Sequence, residues 1–160
     1  MEPSVLLSAV ETLLRIILGL RFLSSGLSNI RRWPSAVDNA RLVVPFGETF
    51  FGLVAVFLMV AGGIGLALGF HTQLAALMIV LFLIPTFPIH RHWLRTTPAM
   101  IEKIRGGLSD EETLNQFRLM ARHAFHSHET GWQNNIVFLV VALFYAVRGS
   151  SALGLDNWIR

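Results

Sequence analysis

The chain has no cysteine among its 160 residues, and only 14% of its residues are charged. The absence of cysteine excludes disulfides, dithiol chemistry and thiolate-bound zinc or iron–sulfur clusters. With 53% hydrophobic residues and a mean hydropathy of +0.57, the composition is typical of a membrane protein. The first residues, Met1 to Ser4, lack the basic region of a cleaved signal peptide, so we expect the first helix to be retained.

The longest uncharged segment runs from Thr49 to Phe70. A helix rises about 1.5 Å per residue, so a helix of this length spans the roughly 30 Å hydrocarbon core of a bilayer. Three other apolar segments accompany it. We therefore predict an all-α fold: one integral membrane domain, a four-helix bundle with amphipathic interfacial helices inserted between helices three and four.

The predicted membrane helices cover about residues 5–30, 45–69, 73–89 and 132–148, and the interfacial insertion covers about residues 96–130. Pro85 and Pro88 should kink or end the third helix. Inside the insertion, Pro98 favours a new helix start, and Ser109 to Glu112 has the pattern of a capping box. A soluble subdomain is the alternative, but about 40 residues bury too small a core.

Basic residues lie beside the apolar segments, and their distribution predicts which loops face the cytoplasm. The chain has 13 Lys and Arg against 10 Asp and Glu, a net charge of +3. The tendency of basic residues to stay on the cytoplasmic side of a membrane protein explains this excess, so we expect no nucleic-acid partner. The loops after helices one and three carry most of the basic residues, namely Arg31, Arg32, Arg41, Arg91, Arg95, Lys103, Arg105, Arg118 and Arg122. The other side carries only Arg148 and Arg160, so we expect loops one and three to be cytoplasmic and both termini outside.

Helix one is the most polar of the four predicted spans. Glu11 and Arg15 are four residues apart and are expected to form a structural pair. In helix two the glycines are crowded into the second half, at Gly62, Gly63, Gly65 and Gly69. Glycines at such spacing let a neighbouring helix approach closely, which favours packing over a ligand groove.

Several fragments resemble the DoxX family of small four-helix membrane proteins. In helix one the pattern is Arg15-x-x-x-Gly19-x-x-Phe22-x-x-x-Gly26-x-x-Asn29, where that family usually has Lys at the last position. Glu48, the turn from Leu68 to Thr72 and the closing segment from Gly149 to Asp156 are also similar. The segment from Thr96 to Thr130 is longer and more charged than the corresponding link in the family.

The resemblance implies a location in a bacterial inner membrane and a redox context. Some members of the family are subunits of thiosulfate:quinone oxidoreductase, others accompany oxidoreductases or assist assembly, and many have no known role. The expected function is therefore a membrane subunit of a quinone-linked redox assembly, supporting rather than catalytic, with other subunits and the lipid bilayer as partners. The alternative is a structural module that docks a partner protein through its cytoplasmic amphipathic helices.

Three residues are candidates for a quinone pocket: Arg21, Glu48 and His90. A carboxylate at the edge of an apolar span is costly unless it is paired, so Glu48 is a functional candidate by default. Arg21 or Asn29 on helix one could reach it across antiparallel helices. The plainer interpretation is a structural pair between Glu48 and an arginine that fixes the first two helices together.

A second candidate group is His123, His126 and Glu129, which recur at helical spacing before helix four. Histidines three residues apart lie on one side of a helix, a geometry that suits a metal or haem. The pattern matches no strong metal motif, and interfacial histidines also contact phosphates or water. A metal or haem site is thus the weaker interpretation of these residues.

Overall fold

The computed structural model describes residues 2–108, 110–150 and 153–159, and in these residues every regular element is a helix. The elements are α1 (Pro3–Arg31), α2 (Trp33–Arg41), α3 (Glu48–Leu68), α4 (Thr72–Leu83), α5 (Thr86–Arg105), α6 (Glu111–Arg148) and a 3₁₀ helix at Leu155–Asn157. The predicted all-α fold is confirmed. Ser109 of the proposed capping box and Arg160 lie outside the described residues.

The helices pack against one another largely in sequence order. α1 lies along α3, α3 along α4, and α4 along the second half of α6, while α5 pairs with the first half of α6. The buried core contains Leu18, Phe22, Met59, Leu66, Ala75, Ala76, Ile79, Val80, Leu83, Ala142 and Tyr145. The core therefore lies between α1, α3, α4 and the end of α6.

In the part of the chain that the structure describes, three helical stretches are long and apolar enough to cross a membrane, by length and composition: Glu48–Leu68, Thr72–Arg105 (α4 and α5 together) and Glu111–Arg148. Large apolar side chains cover the outer faces of the helices, for example Leu13, Ile17, Phe57, Leu81 and Val140. Such faces suit lipid as the surrounding solvent. The structure thus supports a membrane protein with three of the four predicted spans.

The short helix α2 is a feature that the sequence analysis missed. It follows α1 directly, and Pro34 occupies its first turn. Proline is favoured there because the first N–H groups of a helix have no helical partner. α2 packs on α3, where Trp33 and the backbone of Ala36 face Gly52.

The predicted end of helix three at residue 89 is wrong, because α5 continues to Arg105. The break between α4 and α5 lies at Ile84 and Pro85. Pro85 is one of the two prolines that were predicted to kink or end the third helix. Pro88 lies in the first turn of α5, where it interrupts no hydrogen bond. Pro98 is inside α5 and does not start a new helix.

The predicted separation between an interfacial helix and helix four is also wrong. α6 runs without a break from Glu111 to Arg148 and so unites part of the expected insertion at residues 96–130 with the expected helix at 132–148. Its first turn is capped by the carboxylate of Asp110, which accepts a hydrogen bond from the N–H of Thr113 at 2.8 Å. Gly131 is tolerated inside the helix because a single glycine costs only about 1 kcal/mol there.

The packing interpretation of the helix-two glycines is confirmed. Gly63 lies against the backbone of Gly19 and Leu23 on α1, while Gly62 and Gly65 face α4. Gly69 has a φ of 65° and ends α3 in the left-handed conformation that glycine adopts without strain. None of these four glycines lines the cavity described below.

Candidate functional site

A cavity with a volume of about 620 Å³ lies between α1, α2, the first half of α3, the α4–α5 junction and α6. Its walls are mainly apolar, as is usual for pockets that bind small organic molecules, and its volume lies in their usual range. On the side facing the core, Phe22 makes edge contacts with Phe82 at 6.0 Å and with Phe138 at 5.7 Å. We call these three phenylalanines the aromatic cluster.

One wall of the cavity is a polar row on α1. Arg21, Ser25 and Asn29 follow one another at intervals of four residues, so their side chains lie on one helix face. The guanidinium of Arg21 donates to the hydroxyl of Ser25, and the amide of Asn29 donates to the sulfur of Met59 at 3.4 Å. This row offers hydrogen-bond donors to a molecule in the cavity.

A second polar group lies where α5 meets α6. The ring of His90 is 5.7 Å from the ring of His128, which stacks on Trp93 at 5.7 Å with an angle of 12° between the planes. The indole N–H of Trp93 donates to Asn39 of α2 at 3.4 Å. His90 packs on the backbone of α6 at Gly131, where an added Cβ would lie only 2.6 Å from the imidazole. The two histidines are thus held in place from three helices.

A third polar contact in the cavity wall joins α6 to the start of α5. The amide of Asn135 on α6 donates to the hydroxyl of Thr86 at 2.9 Å, and that hydroxyl donates to the carbonyl of Leu83 at 2.5 Å. The hydroxyl thus supplies a donor to the carbonyl of Leu83, because the N–H of Phe87, four residues on, bonds to the carbonyl of Ile84 instead. Both side chains line the cavity. Asn135 uses its amide N–H in this bond, so its carbonyl oxygen remains available to a ligand.

The structure brings Arg21 and His90 to the same cavity but leaves Glu48 outside it. Glu48 pairs with Arg41 of α2 at 3.1 Å, and Arg41 also contacts Asp38 at 3.3 Å. The expected partners on helix one were therefore wrong: the arginine that pairs with Glu48 belongs to α2. Glu48 thus has an arginine partner, as the plainer interpretation expected, but the pair joins α3 to α2 and not to helix one.

The candidate metal ligands are only partly brought together. The imidazole of His126 lies 3.2 Å from the carboxylate of Glu129, and both side chains are largely exposed on α6. Within residues 2–108, 110–150 and 153–159, no group of three His, Cys, Asp or Glu side chains is placed to hold a metal ion. The structure therefore does not assemble the predicted site of His123, His126 and Glu129.

The predicted pair of Glu11 with Arg15 is wrong. Glu11 pairs with Arg148 at 3.1 Å, and its backbone carbonyl accepts a hydrogen bond from the buried hydroxyl of Tyr145. Arg15 is only 2% exposed and donates to Ser150 at 2.9 Å and to the carbonyl of Leu153 at 2.7 Å. Both charges on α1 therefore hold the end of α6 and the segment that follows it.

The closing segment also caps α4. The carboxylate of Asp156 accepts hydrogen bonds from the backbone N–H of His71 at 2.6 Å and of Thr72 at 3.0 Å. The side-chain amide of Gln73 donates to the carbonyl of Val147 near the end of α6 at 3.0 Å. Burial works against the ionised carboxylate, but the bonds from Thr72 and His71 prevail and hold the pKa of Asp156 below its usual value.

A pH dependence of stability follows from this cap. Because the folded-state pKa of Asp156 is lowered, its stabilisation is fully present above the unfolded pKa of about 3.9 and is lost as the pH falls through the folded value. Asp156→Asn leaves one acceptor oxygen for two N–H groups, so we expect it to lower stability at pH 7 by about 1 kcal/mol and to flatten the fall in Tm below about pH 4. Thermal unfolding in detergent between pH 3 and 7 measures both effects. An unchanged acid slope in the variant would contradict this role.

Several cavity residues had no signal in the sequence. Asn39 lies on α2, which was not predicted, and Thr86 and Asn135 resemble ordinary polar residues at helix ends. Ser25 and Asn29 were visible as part of the polar side of helix one. Polar residues that recur every four positions, and so lie on one face of a membrane helix, are the one pattern that could have indicated a cavity wall.

A protein-family model described as DoxX matches residues 10–92. This range is more than half of the chain and extends from α1 into α5, so it includes the polar row and His90 but not the α6 side of the cavity. No curated protein and no solved structure matches the chain significantly.

Proposed function

Because this chain belongs to the DoxX family, we propose that it is a membrane-embedded subunit of a quinone-linked redox assembly whose cavity binds the quinone head group. The observation that carries the proposal is the cavity itself: apolar walls of a suitable volume, with polar groups converging from α1, α5 and α6. The chain's role is to bind and orient the quinone, and a partner subunit supplies the electrons.

Each polar group has a task in this proposal. The carbonyl oxygens of a quinone are hydrogen-bond acceptors, and Arg21, Asn29 and the histidines can donate to them. The aromatic cluster gives the ring an apolar surface on which edge or stacked contacts form. Glu48 has no place in this pocket because its carboxylate pairs with Arg41 outside it.

Filling the cavity should abolish quinone binding. Ala55 lines the cavity, so Ala55→Phe introduces a ring into it and should weaken binding of a short-chain benzoquinone at least tenfold. Ala124 is exposed on α6, so Ala124→Phe makes the same chemical change away from the cavity and should leave binding unaltered. Equilibrium binding to purified protein in detergent measures both. Wild-type protein that binds no quinone would refute the proposal.

The proposed setting is a bacterial inner membrane, with the loops rich in arginine on the cytoplasmic side and both termini outside. The exposed basic residues after α1 and along α5 support this orientation. In that orientation the histidines lie toward the cytoplasmic end of the bundle and Asp156 toward the outer end.

A second candidate function is a docking module, favoured by the hairpin that α5 and α6 form. Four large apolar side chains on it are about half exposed or more although the surrounding sequence is polar: Met100, Ile104, Leu119 and Met120. Exposed apolar side chains of this kind are typical of surfaces that contact a partner. Under this proposal Met120→Lys should release a protein that co-purifies with the wild-type chain from native membranes, without altering quinone binding.

A further inference from the structure

The charge inside the cavity is one-sided. Arg21 lines the cavity, whereas no Asp or Glu does so among the residues that the structure describes. The guanidinium of Arg21 donates to Ser25 but makes no ion pair within the described part of the chain. Within the described residues, the lining of the cavity thus contains the guanidinium of Arg21, whose side chain is also exposed, and no carboxylate.

The position of Arg21 makes this charge costly. Gly63 of α3 lies against Gly19 and Leu23 of α1, so Arg21, midway between those two residues, is level with Gly63. Gly63 lies in the uncharged part of α3, about 7.5 Å from the end of the helix at Leu68 for a rise of about 1.5 Å per residue. An ionised side chain at that depth is expensive unless an opposite charge or water compensates it.

We propose that the cavity binds an amphiphile with a negatively charged group, a carboxylate or the anion of an acidic quinone, which pairs with Arg21. The inference rests on the proposed function, since it requires that the cavity is a ligand site, and it specifies the charge of the ligand. Ser25 positions the guanidinium from one side, which leaves the remaining N–H donors of Arg21 for the anion. The apolar walls receive the uncharged part of the molecule.

The test compares three probes of similar chain length on the full chain in detergent at pH 8: dodecanoate, 1-dodecanol and a neutral decyl-benzoquinone. Dodecanoate should bind at least about tenfold more tightly than dodecanol, because hydrogen bonds to an ionised acceptor are about twice as strong as neutral ones. Arg21→Gln should remove this preference, and Arg21→Lys, which keeps the charge, should retain most of it.

Arg32 provides a matched control. It lies at the end of the same helix and donates to Ser28, also four residues away, at 2.7 Å, but it does not line the cavity. Arg32→Gln should therefore keep the preference for dodecanoate. Circular dichroism verifies that each variant is folded, and the comparison of dodecanoate with dodecanol on the wild-type chain stands even where a variant fails to fold.

The outcomes separate the inference from the proposed function. If the neutral quinone binds and dodecanoate has no advantage over dodecanol, the anion site is refuted and the quinone proposal stands. If the preference for dodecanoate survives in Arg21→Gln, the charge that selects it lies elsewhere and the inference fails. If none of the three probes binds, both proposals fail together.

Discussion

Replacing Gly63 by alanine should lower the free energy of unfolding by about 2–3 kcal/mol, one of the two largest effects that the structure predicts. A Cβ at Gly63 would lie 2.6 Å from the backbone nitrogen of Leu23 and 2.8 Å from the carbonyl oxygen of Gly19. Backbone atoms cannot rotate away as side chains do, so α1 and α3 must separate. That separation removes dispersion contacts along the whole of their interface.

Gly52, on the same helix, provides the control for this variant. An added Cβ there would lie 3.6 Å from the ring of Trp33, an ordinary van der Waals distance. Alanine is the better helix former by up to about 1 kcal/mol, so Gly52→Ala should be neutral or slightly stabilising. Thermal unfolding in detergent, followed by circular dichroism, compares the two. Equal stability of both variants would contradict the close approach of α1 and α3.

The glycines of α3 show which kind of structural feature can be predicted from the sequence. Small residues at helical spacing and the uncharged run from Thr49 to Phe70 report local requirements, namely close packing and an apolar surrounding. Such requirements act on neighbouring positions of one helix, so the all-α membrane fold and the packing role of Gly63 were predictable. The break at Pro85 was predictable for the same reason, since proline acts on its own helix.

Pairings between distant segments were not predictable in this way. Arg21 and Asn29 were predicted to be within reach of Glu48, but the intervening α2 presents Arg41 to it instead. Glu11 was expected to pair with Arg15 on its own helix and pairs with Arg148 of α6. One charge can meet several partners of opposite sign, and the choice depends on three-dimensional packing that a single sequence does not state.

The cavity belongs to the same class of unpredictable features. A cavity is the space left between helices, so its walls come from segments that need share no motif: Arg21 was predicted to contribute, but Asn39 and Asn135 were not. The predicted pocket contained one positive side chain, Arg21, and one negative side chain, Glu48. Because Glu48 lies outside the cavity, only the positive charge lines it. A local sequence pattern predicts side chains that are costly in a membrane, and the structure decides which of them face a common space.

Replacing Arg15 by methionine should cost about 3–5 kcal/mol, the other large effect, because it removes two hydrogen bonds from a charged donor, each worth about 1.5–3 kcal/mol. Methionine keeps the length of the side chain but removes the donors to Ser150 and to the carbonyl of Leu153. Both lost bonds are partly buried and have a charged donor, so their loss costs more than the loss of exposed, neutral bonds. Since Arg15 holds the closing segment, residues 153–159 should detach before the rest of the bundle unfolds.

Hydrogen exchange gives this prediction a specific signature. Amide protection should fall at Asp156, whose N–H donates to Gly69 at 2.8 Å, and at His71 and Thr72, whose N–H groups the Asp156 carboxylate accepts. Protection in the middle of α3 should change far less. Arg41→Met removes an arginine that is 61% exposed and should leave both protection and Tm near wild type. Unaltered exchange at Asp156 in Arg15→Met would mean that the closing segment is held by its own contacts with α4, and that the buried charge on α1 serves another purpose.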